Sequence, residues 1–172
     1  MNGTLKKKIK KIKLLILDVD GILTKGDIVY DHNGDEIKFF NVHDGFAIVL
    51  FQKAGYKTAI ITARYSKAVE ARARDLGVAH IYQNAHPKTE AYTQLMQELK
   101  LKDEQACFVG DDLPDLGVLK KVGFAITVPN GVKEVADHVT KNFGGYGAVR
   151  EVVELILKTQ GKWKGVVQSF AN

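Results

Sequence analysis

Short apolar runs recur along this chain, separated by stretches in which apolar positions return every three or four residues. The runs at 12–17, 57–62, 106–109 and 124–128 are dense in Ile, Leu, Val, Ala and Phe. A strand covered on both faces has no polar alternation, so these read as central strands of a sheet. Residues 80–83 and Val139 predict two shorter strands. The stretch 44–54 is apolar all round and stops at Gly55, as for a helix buried in the core or under a partner subunit. Ser66 is a good N-cap for a helix to Leu76, and Gly77 ends it. Pro87 opens the next helix, on which Tyr92, Leu95, Met96 and Leu99 share a core-facing stripe. Shorter helices are expected over 114–122 and 132–136, and a closing helix over 148–159.

Strand–helix–strand alternation predicts an α/β fold, a Rossmann-like parallel sheet with helices on both faces. Residues 27–40 break the alternation. They read as two strands around Asn33-Gly34, a pair that tolerates the positive φ angles of a type I′ turn, and so as a small β-hairpin flap. No repeat or linker divides the chain. One domain over 1–172 is expected, with 1–11 as a basic N-terminal extension and 161–172 as a C-terminal tail without strong pattern.

In a sheet of this kind ligands bind at the carboxyl ends of the strands. Those ends carry Asp18 and Asp20, Thr62, the region of Lys88, and Asp111 with Asp112 and Asp115. Acids gathered at one rim repel each other unless a hard divalent cation neutralises them, and oxygen ligands are what magnesium prefers. Phosphoryl transfer needs a nucleophile, an acid for the leaving oxygen and positive charge on the equatorial oxygens. The rim supplies all three. Asp and Gly are also common in ordinary βα loops, so a single DxDG run would not carry this reading; the ordered set does.

The 172 residues suit one domain, and 45% hydrophobic with 26% charged residues is ordinary for a globular protein. The net charge of +5 is local: residues 6–13 hold six lysines and no acid, and the remainder is near neutral. Such an arm could touch nucleic acid or an acidic membrane, or be a solvated lead into the first strand. No aromatic residue interleaves the lysines for base stacking, so nucleic-acid binding is not expected. Cys107 stands alone and cannot form an internal disulfide, and its apolar surroundings suit a core residue better than a nucleophile. No apolar run is long enough to span a bilayer and no signal-peptide core opens the chain, so a cytoplasmic location without membrane contact is expected.

Asp18-Val19-Asp20-Gly21-Ile22-Leu23-Thr24 resembles the first motif of the haloacid dehalogenase superfamily in its phosphatase form, DxDGxLT. Thr62, Lys88 and Gly110-Asp111-Asp112-Leu113-Pro114-Asp115 resemble the second, third and fourth. ILDVDGILT, FNVHDGF, IITAR, VGDDLPD and GGYGAVREV together resemble the capless 3-deoxy-D-manno-octulosonate 8-phosphate phosphatases over roughly residues 12–162. The resemblance implies a phosphoric monoester hydrolase acting on a small phosphorylated sugar acid, in lipopolysaccharide core biosynthesis. Asp18 would be the nucleophile, forming an aspartyl-phosphate. Asp20 would protonate the leaving oxygen and later activate water. Mg2+ would be held by Asp18, the Asp20 backbone carbonyl and Asp111. Thr62 and Lys88 would bind the transferring group, with Asp112 and Asp115 behind them; Asp115 could instead be a helix first-turn acid.

By the same resemblance Asn41, Val42, His43, Asp44 and Gly45 form a substrate-touching loop. Arg64 and Arg72 would bind the sugar acid, which a guanidinium can grip bidentately. Three positions depart from the family: Ala63 where glycine is frequent, and His43 and Val49 where arginine can stand. Sialic-acid 9-phosphate phosphatases share much of this frame, and a nonenzymatic phosphatase-like module is the other alternative. About 40 residues separate Asp18 from Thr62, too few for a cap domain. The resembling enzymes are homotetramers whose hairpins pack together. Ile28, Val29, Tyr30, Ile37, Phe39 and Phe40 would suit such an interface or the chain's own core. The segment FGGYGAVR and the tail could contribute to a neighbour's site.

Overall fold

The computed structural model describes residues 3–170. Six strands form one parallel sheet: β1 (Leu14–Leu17), β4 (Lys57–Ile61), β5 (His80–Tyr82), β6 (Ala106–Val109), β7 (Phe124–Thr127) and β8 (His138–Val139). Their order is β5-β4-β1-β6-β7-β8. The chain steps outward from β1 through β4 to β5, then returns to the other side of β1 for β6, β7 and β8. The reversal makes a crevice at the carboxyl end of β1, where open α/β sheets place their ligands. Register fixes the crevice walls, because Leu17 pairs with Ile60 on one side and Val109 on the other.

The continuous apolar runs have a simple cause. Leu15 and Leu17 face one core while Leu14 and Ile16 face a second, and Cys107 and Val109 alternate likewise with Ala106 and Phe108. The first core is closed by α2 (Val42–Lys53), α3 (Lys67–Asp75) and α6 (Ala148–Thr159), the second by α4 (Lys88–Leu99) and α5 (Leu116–Leu119). The closing helix α6 has the bounds its spacing predicts, with Val149, Val152, Val153, Ile156 and Leu157 buried along one face. Cys107 is fully buried, and burial pushes its thiol well up, as befits a core residue.

Several local expectations are corrected. Residues 6–13 do not form a solvated extension: Gly3–Lys11 is a helix, α1, and Leu5, Ile9 and Ile12 seat it on the core. Their spacing of four and three is helical, while the lysines stay outside and pair in part with Asp137 and Glu104. The tail folds as well, with Trp163–Gln168 a short helix, α7, against the first core. The expected helix at 132–136 is absent. Val132 N–H donates to the Asp111 carbonyl and Asp137 N–H to the Ala125 carbonyl, so the segment is spent on the sheet edge. The helix expected at 114–122 shortens to a 3-10 turn, Leu113–Asp115, running into α5.

The flap is a hairpin of β2 (Val29–Tyr30) and β3 (Glu36–Ile37). Its turn is not type I′, since Gly34 is left-handed (φ 84°) and Asn33 is not. Gly34 N–H donates to the Asp31 carbonyl and Asp31 N–H to the Asp35 carbonyl, which makes a three-residue loop with a bulge. The Asp31 carboxylate takes the N–H groups of Asn33 and Asp35 and favours this longer turn.

Candidate active site

Three strand ends supply the crevice. Asp18 directly follows β1 and is held by its neighbours: Val19 N–H donates to Oδ1 at 2.7 Å and the Lys88 ammonium lies 2.8 Å from Oδ2. Thr62 follows β4 and is 3% exposed, its N–H fixed on the Tyr82 carbonyl. Asp111 follows β6 by one residue. Lys88 opens α4 and reaches across to bond Asp115 Oδ1 at 2.5 Å as well as Asp18. Asp115 is fully buried, and its other oxygen accepts the N–H groups of Asp111 (2.9 Å) and Asp112 (3.2 Å). One carboxylate thus locks both the cation and the Asp111 loop. Gly21 is required here: at φ 84° its Cα faces the Asp111 carboxyl group, where a Cβ would collide.

Oxygens of Asp18, Asp111 and Asp115 come within 4.8 Å of one another. Burial, then the charge of Asp115, pushes the Asp18 carboxyl up to about 6, although Lys88 pulls the other way. Burial, then the charges of Asp18 and Asp115, pushes Asp111 to about 7. Burial alone would lower Lys88, but Asp18 and Asp115 outweigh it and raise it. Asp111 Oδ1 is buried without a hydrogen-bond partner. Two acids raised by burial and by neighbouring carboxylates, and an orphaned oxygen on Asp111, fit a hard divalent cation held by Asp18 and Asp111.

This cluster makes stability depend on pH and metal. In metal-free protein Asp18 and Asp111 keep protons, up to about pH 6 and 7, that the unfolded chain has released near the ordinary carboxyl value of 3.8. Raising the pH through that window therefore favours the unfolded state. Thermal melts in chelator are expected to be lower at about pH 7.5 than at about pH 5. Magnesium should recover the difference at the higher pH and add little at the lower, since it replaces the protons. Equal melting at both pH values in chelator would contradict the coupling.

A cavity of about 330 Å³ opens over these residues. Its wall includes Asp18, Asp20, Thr62, Arg64, Lys88, Asp111, Asp112 and Asp115, together with Lys25 and Asn130, which the sequence reading did not single out. Asp20 points to the flap rather than to the sheet. Lys38 Nζ lies 2.5 Å from its Oδ1, and Arg64 Nε lies 3.6 Å from Oδ2. Both cations also bind Glu36 Oε1, at 3.3 Å and 2.6 Å. Lys38 and Glu36 were missed too. The one local signal was a lysine set among Ile37, Phe39 and Phe40.

The loop 41–45 does not line this cavity. Asn41 caps α2 by accepting from His43 N–H and Asp44 N–H, and its amide donates to the Gly145 carbonyl. Asp44 is 1% exposed and accepts from Gly147 N–H and Arg150 N–H. Val42 and His43 face solvent. Gly45 leaves room for the Arg72 guanidinium, which lies by the Phe40 ring and also outside the cavity wall. The segment FGGYGAVR, residues 143–150, packs on its own chain at Gly144 and Gly145, while Phe143 and Tyr146 stay exposed. Gly144 lies so close to the Gly21 carbonyl that no side chain fits. Asn41 and Asp44 therefore staple the glycine loop down on the loop that carries Asp18 and Asp20.

Residues 40–123 match the family model of haloacid dehalogenase-like hydrolases. The chain is 44% identical over 158 residues to 3-deoxy-D-manno-octulosonate 8-phosphate phosphatase KdsC of Escherichia coli, covering 90% of this chain and 84% of that protein. Its Yersinia pestis counterpart is 42% identical over 157 residues with the same coverage. Among solved structures, the chain superposes with TM-score 0.95 and 41% identity on the phosphatase of that name from Moraxella catarrhalis, over 99% of both chains. That protein was crystallised in complex with magnesium ion, phosphate ion and KDO. The cobalt-bound enzyme of Haemophilus influenzae matches with TM-score 0.91 and 35% identity, over 96% of this chain and 99% of that one.

Proposed function

The chain belongs to the 3-deoxy-D-manno-octulosonate 8-phosphate phosphatases of the haloacid dehalogenase-like hydrolases, and from that membership we propose a magnesium-dependent hydrolysis of this phosphosugar. The products are the free sugar acid, used in lipopolysaccharide core assembly, and phosphate. The observation that carries the reading is the ion-paired set Asp18–Lys88–Asp115 beside Asp111 in a cavity of about 330 Å³. Asp18, Asp111 and the Asp20 backbone carbonyl would hold the magnesium ion. When bound, it supplies positive charge to the phosphoryl oxygens and neutralises the acids.

The residues divide the work as follows. A carboxylate oxygen of Asp18 attacks phosphorus as the bond to the sugar oxygen breaks, giving an aspartyl-phosphate. Asp20 gives its proton to the departing oxygen. In the second half Asp20 takes a proton from water as that water attacks the same phosphorus, which frees phosphate and restores Asp18. The Thr62 hydroxyl donates to the transferring group and Lys88 places its charge on it. Asp115 holds Lys88, while Asp112 accepts from Leu113 N–H and faces the cavity. Arg64, at the cavity rim with its side chain 45% exposed, would meet the carboxylate of the sugar acid.

The experiment is phosphate release from a panel of eight- and nine-carbon phosphosugar acids and simple sugar phosphates, with magnesium and with chelator. Magnesium-dependent release greatest on the eight-carbon acid is expected. Preference for a nine-carbon acid would replace the substrate but not the chemistry.

No described helix is long and apolar enough to cross a membrane. The expected site of action is the cytoplasm, a reading that the free buried cysteine and the phosphorylated substrate support. A homotetramer, the assembly the resemblance implies, is supported by the flap, where Ile28, Tyr30, Ile37 and Phe39 are 41–67% exposed while Phe40 turns to the core. A monomeric mass in sedimentation would remove it.

A further inference from the structure

We propose that Lys38 is a positioning residue for Asp20, so that the flap sets the proton-transferring carboxylate while the sheet sets the nucleophile. Asp18 is fixed by its own loop and by α4, through Val19 N–H and Lys88. Among the described residues, the partners of the Asp20 carboxylate are two cations, and neither belongs to its loop. Arg64 is the looser one: its Nε stands at 3.6 Å, it is 45% exposed and it is already bonded to Glu36. Lys38 is the tighter one, at 2.5 Å with its side chain 2% exposed.

A lysine ammonium is strongly hydrated, and withdrawing it from water is costly unless it gains well-placed acceptors. Lys38 gains two, Asp20 and Glu36, and the second also fixes where its ammonium sits. Glu36 lies on β3 and is itself held by Arg64. The contacts form a closed ring, Asp20–Lys38–Glu36–Arg64, joining the flap to the loop after β1 and the loop after β4. A ring closed by charged contacts leaves Asp20 little rotamer freedom. Proton transfer in both half-reactions needs that oxygen at one place, and a displacement of about 1 Å can cost about 100-fold.

This role rests on the phosphatase reading, and the test separates the two. Lys38→Met keeps a stem of the same length and removes the ammonium. Two substrates are compared by kcat/KM, which reports the steps up to loss of the leaving group: 3-deoxy-D-manno-octulosonate 8-phosphate and p-nitrophenyl phosphate. The sugar oxygen must receive a proton to leave, while nitrophenolate leaves without one. With Lys38→Met the sugar phosphate is expected to lose roughly 30-fold and the nitrophenyl ester at most about threefold. Lys38→Arg should recover much of the loss. Glu36→Gln, which frees Lys38 without touching Asp20, should give a smaller loss of the same selectivity. Should Lys38→Met fail to fold, that variant decides. Equal losses on both substrates, or none on either, would overturn the positioning role and leave the phosphatase standing. Wild-type protein that releases phosphate from neither substrate would overturn both.

Discussion

Replacing Asp18 with asparagine is expected to abolish magnesium-dependent phosphate release, by about 10⁴-fold or more, in a protein that folds normally. The two side chains have the same shape, so the Val19 N–H bond can survive. Two other things cannot. A neutral amide does not attack phosphorus, and it brings no negative charge to a cation beside Asp111. The amide nitrogen would also meet the Lys88 ammonium donor to donor if placed at Oδ2. Stability should not fall with activity. Asp18 is a buried acid held up at about 6 by burial and by the charge of Asp115. Its ionised form is an expense to the metal-free fold at neutral pH, and the amide removes it. The melting temperature in chelator at about pH 7.5 is therefore expected to match or exceed that of the wild type. Phosphate release measured beside that melt separates lost chemistry from lost structure. Undiminished turnover would refute the nucleophile assignment.

Asp18, Thr62 and Asp111 were legible in the sequence for a physical reason. Each stands at the end of an apolar run, and parallel strands turn such ends to one rim. Both the residue type and its placement are local facts. Lys38 and Glu36 reach the site only because the hairpin folds back over it, and no periodicity encodes that approach. Asp44 shows the same limit. Its side chain matters through Gly147 and Arg150, more than a hundred residues away. The basic N-terminus is a different case, since Leu5, Ile9 and Ile12 had helical spacing but six lysines drew attention to charge. At Asn33-Gly34 the dipeptide suggested one turn, and a carboxylate two residues earlier selected another. Local propensity was overruled wherever a distant or neighbouring polar group offered the backbone a better partner.

Removing the charge of Lys88 should damage both activity and fold. In Lys88→Met the transferring group loses its fixed cation, and kcat at saturating magnesium is expected to fall by roughly 10² to 10³. The same change strands Asp18 and Asp115, each bonded by Lys88 in the wild type. Leaving a buried charge without its partner costs about 3–5 kcal/mol. The cost should vary with pH in a definite direction. Lys88 holds the Asp18 pKa down, so its removal raises a value already near 6. While Asp18 is protonated the deficit is relieved; as pH rises through the new value the full deficit appears. Metal-free Lys88→Met should thus lie nearer the wild type at about pH 5 than at about pH 8 in thermal melts. Adding Asp115→Asn then tests the origin of the loss. Asparagine can still accept the N–H groups of Asp111 and Asp112 through its oxygen, so the Asp111 loop keeps its anchor. What it removes is one stranded charge. The double variant is expected to be more stable at about pH 8 than the two single losses predict, by about 1–3 kcal/mol, with no recovery of kcat. Strict additivity would mean that Lys88 and Asp115 act separately. Their ammonium and carboxylate lie 2.5 Å apart with both side chains buried, and the remaining partners, Asp18 for Lys88 and two backbone N–H groups for Asp115, do not replace that contact, so the two losses should not add.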